Sequence, residues 1–281
     1  MKAASVHAFH YLVRRHVAGN VPGAHRSRRG DAGQEFRGHR PLADAGDVRR
    51  IDIHASLRDP LGQWQVRLFS ERKSMPVVVV ADLSASMAYV GERRKLDVLA
   101  DFTEAAAQSA WRVGDPFGFV GCEDTLRNDW LLPPTRRRGM GMAIAARLRG
   151  FRPSGSAGSL GDAARVLPLR RSLVFLVSDF HLPLATLDTL LSRLVHHELV
   201  PVMLWDRQEF EWPGNGLVRL SDPEDGSERL VWMRAALRER WALARAERLE
   251  ALQALFHRHR LSPLGLGGYE ADAVSAHFVR A

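Results

Sequence analysis

The chain of 281 residues carries 40 Lys plus Arg against 32 Asp plus Glu, a formal charge of +8 and a pI near 10.6. With 46% hydrophobic and 26% charged residues and a mean hydropathy of −0.20, whole-chain disorder is excluded and a sizeable core is affordable. Cys122 is the only cysteine, which excludes an intrachain disulfide or a Cys-rich zinc site and fits a reducing compartment.

Residues 1–74 are rich in Arg, Gly and Asp, with no long periodic stretch after Val17, and read as an irregular lobe containing a few strands. His7, His10, Arg14 and Arg15 interrupt the opening residues, so a secretory leader is not expected. Gly30 and Gly33 frame a turn. Residues 65–69 alternate polar and apolar side chains, as a half-buried strand does.

From residue 75 the pattern changes to strands alternating with helices. Residues 77–81 form a continuous apolar run that ends in Asp82, the signature of a strand buried on both faces. Residues 95–113 carry apolar side chains at helical spacing. Strands follow at 117–122 and 130–132, short helices at 140–148 and 160–167, and a second buried strand at 173–178 that ends in Asp179. A helix is expected over 184–197, a strand over 200–204 and a β-rich insertion over 206–232. A long helix over 233–259, a strand over 261–266 and a closing helix over 271–280 complete the series. This alternation predicts an α/β fold with a mainly parallel sheet and helices on both faces, residues 75–281 forming one domain. No apolar run approaches the ~18–20 residues of a membrane span, and the expected compartment is the cytoplasm.

The most informative string is Asp82-Leu83-Ser84-Ala85-Ser86 directly after a buried strand. A carboxylate and two hydroxyls at i, i+2 and i+4 in a tight loop can face one centre, and all three are hard oxygen donors of the kind Mg²⁺ takes. Asp179 ends another strand, and ligands of open α/β sheets bind beyond the carboxyl ends of strands where strand order reverses. The Gly155–Gly161 stretch can bring Ser159 to the same point. The plainer reading is that Ser84, Ser86 and Ser159 cap helices.

Asp82, Ser84, Ser86, Ser159 and Asp179 together resemble the metal-ion-dependent adhesion site of von Willebrand factor A domains. The resemblance implies a Rossmann-like sheet and a bound Mg²⁺, or another divalent ion such as Mn²⁺, with a position open to a partner's carboxylate. Ser159 stands where that family uses threonine. The flanks are similar to the bacterial family called domain of unknown function 58: Gly46-Asp47-Val48-Arg49-Arg50-Ile51-Asp52, Ala55-Ser56, Pro133-Pro134 and Leu220-Ser221-Asp222-Pro223-Glu224. Ile53 and His54 replace its usual tryptophan and lysine. That likeness implies a MoxR-type AAA+ ATPase as partner, and the chain as its adaptor in the assembly or remodelling of a client protein.

Other chemistries fit less well. A phosphoesterase of the haloacid dehalogenase type needs a second carboxylate where Ser84 stands, and serine is no general acid near neutral pH. No GxxxxGK[ST] loop and no nucleophile elbow are present. The histidines read as ordinary surface or core residues.

Of the 40 basic residues only Lys2, Lys73 and Lys95 are lysine, and arginine grips carboxylates and phosphates alike. Clusters at Arg26, Arg28 and Arg29 and at Arg136, Arg137 and Arg138 make nucleic acid the main alternative partner. Neither is interleaved with aromatics as single-strand binders require. Arg136, Arg137 and Arg138 are therefore assigned to an acidic partner surface. The expectation is a non-enzymatic, metal-dependent protein-binding module.

Overall fold

The computed structural model describes residues 6–13, 22–26, 35–45, 47–70, 72–206, 209, 214–221 and 227–280. The Gly30–Gly33 turn, the Arg28 and Arg29 cluster, Gly46, and Pro213, Asp222, Pro223 and Glu224 of the insertion lie outside them.

The chain divides into two compact units, residues 13–75 and residues 1–12 with 76–281. In the smaller, β1 (Pro22–Arg26) pairs antiparallel with β4 (Arg72–Lys73), and β2 (Glu35–Pro41) with β3 (Gln65–Ser70). Two short helices, α1 (Leu42–Ala45) and α2 (Ile53–Leu57), lie between β2 and β3 in sequence. Asp52 organises this stretch. It caps α2 by accepting from the Ala55 amide and accepts from Arg67 Nε at 2.7 Å, and those bonds hold its carboxyl well below the usual range.

The larger unit is built on a six-stranded sheet, in the order β12-β9-β8-β5-β6-β7. The strands are β5 (Val77–Asp82), β6 (Phe117–Cys122), β7 (Leu126–Thr135), β8 (Leu173–Ser178), β9 (Glu198–Met203) and β12 (Leu264–Gly265). All neighbours are parallel except β6 and β7. Every residue of β5, β6 and β8 is buried, because helices cover both faces. Val78, Val80, Val120 and Leu176 face a 3₁₀ segment (Gly158–Arg165), α5 (Leu184–Arg193) and α6 (Ala235–Arg258). On the opposite face Phe175 meets Phe102 of α3 (Lys95–Val113) and Phe278 of α7 (Ala271–Arg280) edge-on, at 5.2 and 6.1 Å between ring centres. Against α3 lies α4 (Met140–Gly150).

The structure departs from expectation at several places. β7 spans ten residues rather than three; as an edge strand it carries polar residues at Arg127, Asn128 and Asp129 and takes up Pro133 and Pro134 where its register with β6 shifts, which hides it in the sequence. α5 stops at Arg193, and a turn through His197 leads into β9. The short helix expected at 160–167 is 3₁₀ and the last strand has two residues, whereas the expected β-rich insertion is met by β10 (Gly216–Ser221) pairing antiparallel with β11 (Glu228–Met233). Residues 6–12 join the larger unit: Phe9 stacks on Phe102 at 5.7 Å and Tyr11 donates to Asp115 at 2.6 Å. Among the described residues, no helix is long and apolar enough to cross a membrane.

Candidate metal centre

β5 and β8 are adjacent, and the chain passes to opposite sides of the sheet from them, so their carboxyl ends form the switch point. Asp82 ends β5 and Asp179 follows β8; both are about 1% exposed. After Asp82 the odd positions Leu83, Ala85 and Met87 turn into the core, which leaves Ser84 and Ser86 to the cleft side. Hydrogen bonds from Leu83 N to Cys122 O at 2.8 Å and from Ala85 N to Gly155 O at 3.0 Å fix this loop to β6 and to the serine-rich loop.

A cleft of about 280 Å³ is lined by Asp82, Ser84, Ser86, Ser156 and Asp179, with His181 and Thr186 at its edge. Asp82 accepts from the Ser84 amide at 2.9 Å and from Ser178 Oγ at 2.7 Å. The Ser84 and Ser86 hydroxyls stand 3.2 Å apart. Ser84 occupies the N-cap of the next 3₁₀ turn, yet its side chain makes no capping bond, and Ser159 lies inside its 3₁₀ segment rather than capping it. Capping therefore does not account for these hydroxyls. Ser159 Oγ lies outside the cleft lining, buried near the Cys122 thiol, with no partner in ordinary hydrogen-bond geometry among the described residues. The two carboxylates and the Ser84 and Ser86 hydroxyls that do line the cleft are hard oxygen donors of the kind a divalent cation takes, whereas Ser159 stands back from them.

The serine loop is held by Asp124, which accepts from both the amide and the hydroxyl of Ser156 at 2.6 Å. Gly155 has φ 71°, and a Cβ there would lie 2.2 Å from the Asp124 carboxylate, so a larger residue would dislodge that anchor. Phe180 is also left-handed, at φ 54°. Its turn swings His181 toward the cleft and is retained by Ser178 Oγ on its amide at 2.9 Å and Arg248 on its carbonyl at 2.8 Å.

The sequence did not single out Lys95, His181 or Glu209. Lys95, 3% exposed at the start of α3, donates to Asp179 at 2.9 Å and to Glu209 at 2.8 Å. His181 Nε2 stands 3.6 Å from Glu209. The ligand atoms of Asp179, His181 and Glu209 lie within 4.8 Å of one another, but the Lys95 ammonium already bridges the two carboxylates. Burial and the Asp179 charge push Asp82 up; for Asp179 burial is the largest single influence and raises it, but the Lys95 and His181 charges and the hydrogen bonds from Lys95 and Ser86 together hold it down. Lys95 is raised by its two carboxylates despite burial. Its one sequence signal is rarity, as a lysine in an arginine-rich chain: a compact ammonium fits between two carboxylates where a guanidinium is too broad.

Arg136, Arg137 and Arg138 do not line this cleft. They follow Thr135, which pairs with Phe117 at the amino end of β6, while Asp82 pairs with Cys122 at its carboxyl end. The two features lie at opposite ends of the sheet.

Residues 39–251 match the profile of the family described as protein of unknown function DUF58. An uncharacterized protein from the moxR 3′ region of Paracoccus denitrificans is 38% identical over 107 residues, 36% of this chain and 97% of that protein. Uncharacterized protein Rv1480 of Mycobacterium tuberculosis is 26% identical over 250 residues, 87% of this chain and 78% of its own length. Among solved structures, the conserved hypothetical protein BatB of Bacteroides thetaiotaomicron covers 74% of this chain and 100% of its own, with 10% identity and a TM-score of 0.44.

Proposed function

This chain belongs to the DUF58 family of proteins of unknown function, and from that premise we propose that it is a non-enzymatic, metal-dependent protein-binding adaptor. Its larger unit is read as a von Willebrand factor A-like domain, and its partner as a MoxR-type AAA+ ATPase acting on a client protein. The observation that carries the reading is the convergence of Asp82, Ser84, Ser86 and Asp179 on one cleft at the carboxyl ends of β5 and β8. The moxR 3′ region relative supports the ATPase partnership.

Asp82, Ser84, Ser86, Ser159 and Asp179 would hold Mg²⁺ or Mn²⁺, and such an ion supplies an exchangeable position for a partner's carboxylate. The chain's own contribution is placement. β5 and β8 fix the two carboxylates, the buried Leu83, Ala85 and Met87 aim the serines, and Asp124 holds the third loop. Nothing in the cleft offers a second acid at the position of Ser84, which is why binding rather than hydrolysis is proposed.

Pull-down of a MoxR-type ATPase by the full chain should occur in Mg²⁺ and be lost both in EDTA and with Asp82→Ala. Retention of the ATPase under both conditions rejects the metal-dependent mechanism. Release of phosphate from p-nitrophenyl phosphate by the wild type but not by Asp82→Asn would point to an enzyme instead.

A further inference from the structure

At the far end of the sheet from the cleft, α3, the loop 135–139 and the first turn of α4 enclose a groove of about 360 Å³. Its shape follows from a close helix contact: a Cβ on Gly141 would lie 2.2 Å from Ala107 Cβ, so only glycine lets α4 approach α3 this closely. Trp111, 47% exposed, forms part of the wall, and Met142, 61% exposed, stands at the rim. The Arg138 guanidinium lies 3.9 Å from the centre of the Trp111 ring. Arg136 Nε donates to the carbonyl of Gly114 at 3.1 Å, which fastens the loop to the end of α3.

The charges here are unbalanced. Of the acids lining the groove, Asp115 is buried and receives the Tyr11 hydroxyl, and Glu104 is shared with Gln108 and Arg149. The exposed Arg137 guanidinium has no partner among the described residues, and α4 begins at Gly139 without a side-chain cap. The Arg137 guanidinium, next to Arg138 on an exposed aromatic and near a methionine, matches carboxylates flanking an apolar side chain. Nucleic acid matches less well, because Phe117 is buried and Arg138 already covers one face of Trp111, the ring a base would stack on.

We propose that this groove is a second docking site, for an acidic protein segment that places carboxylates on Arg137 and Arg138 and an apolar side chain against Trp111 and Met142. It stands apart from the metal cleft and requires no cation. The two sites can therefore be occupied together.

The test is fluorescence anisotropy of the full chain with a fluorescein-labelled peptide of glutamates around one leucine. Controls are the same peptide with glutamine for glutamate and a labelled oligo-dT of equal charge. The acidic peptide should bind saturably in EDTA, and Arg137→Glu should weaken it about tenfold, as loss and reversal of one charged hydrogen-bonding partner predicts. Arg238→Glu with Arg240→Glu on α6 reverses more charge elsewhere and should change affinity less than about twofold. Arg137 makes no side-chain contact that folding depends on, so the variant is expected to fold. Absence of binding, equal loss in both sets of variants, or tighter binding of oligo-dT with the same dependence on Arg137 overturns the proposal. Because all of this is read in EDTA, it stands or falls separately from the metal cleft.

Discussion

Lys95 lies between two carboxylates in a place where water scarcely reaches, and it is the cation that Asp179 and Glu209 share. Replacing it with methionine leaves Asp179 and Glu209 facing each other without their cation, a loss that costs about 3–5 kcal/mol when one partner of a buried pair is removed. Lys95→Met should lower urea stability by about that amount in EDTA, and saturating Mn²⁺ should recover part of it. A variant equally stable with and without Mn²⁺ would count against the metal reading. His197 gives a second prediction. Its ring accepts the Ser172 amide at 3.3 Å, and burial, with His196 and Arg171 nearby, pulls its pKa from 6.5 down to about 4. Between those values the unfolded chain binds a proton that the folded chain does not. The stabilisation is therefore complete above pH 6.5 and lost as pH falls to about 4, a contribution of about 2–3 kcal/mol. Urea titrations of wild type and His197→Gln should differ in pH slope over that window; parallel slopes would exonerate the ring.

Elements were legible where burial is uniform. β5 and β8 read directly as apolar runs because helices cover both their faces, and α3 matched its expected bounds because one face alternates with solvent. β7 was not legible, since an edge strand loses the apolar run and even tolerates proline. α4 was found, but the reason for Gly141 was not, because close helix approach depends on Ala107, 34 positions away. Gly141→Ala supplies a better helix former by about 1 kcal/mol, yet it should destabilise by about 1–3 kcal/mol because the helices must part. Thermal unfolding that rises instead would show that α4 shifts freely.

For the molecule as a whole, the notable contact is the return of the first described residues to the larger unit. Phe9, 3% exposed, packs among Phe102, Phe175 and Phe278. Phe9→Ala should cost about 3–5 kcal/mol, and a chain begun at residue 76 should unfold at lower urea than the full chain for the same reason. Equal midpoints would mean the aromatic cluster closes without Phe9.

The sequence by itself determined the alternation of strands and helices, the aspartate at the end of each of two buried strands, and the hydroxyls two and four residues beyond the first. Those are local patterns, set by the period of each element and by what a short loop can aim at one point. Only the tertiary structure decided that β5 and β8 are neighbours, that Asp179 and Glu209 share the Lys95 ammonium, that Ser159 is buried by Cys122 outside the cleft lining, and that Arg136, Arg137 and Arg138 lie at the opposite end of the sheet. Phe9 belongs with these. Each depends on residues far apart in the chain meeting in a packed interior, and no local periodicity carries that information.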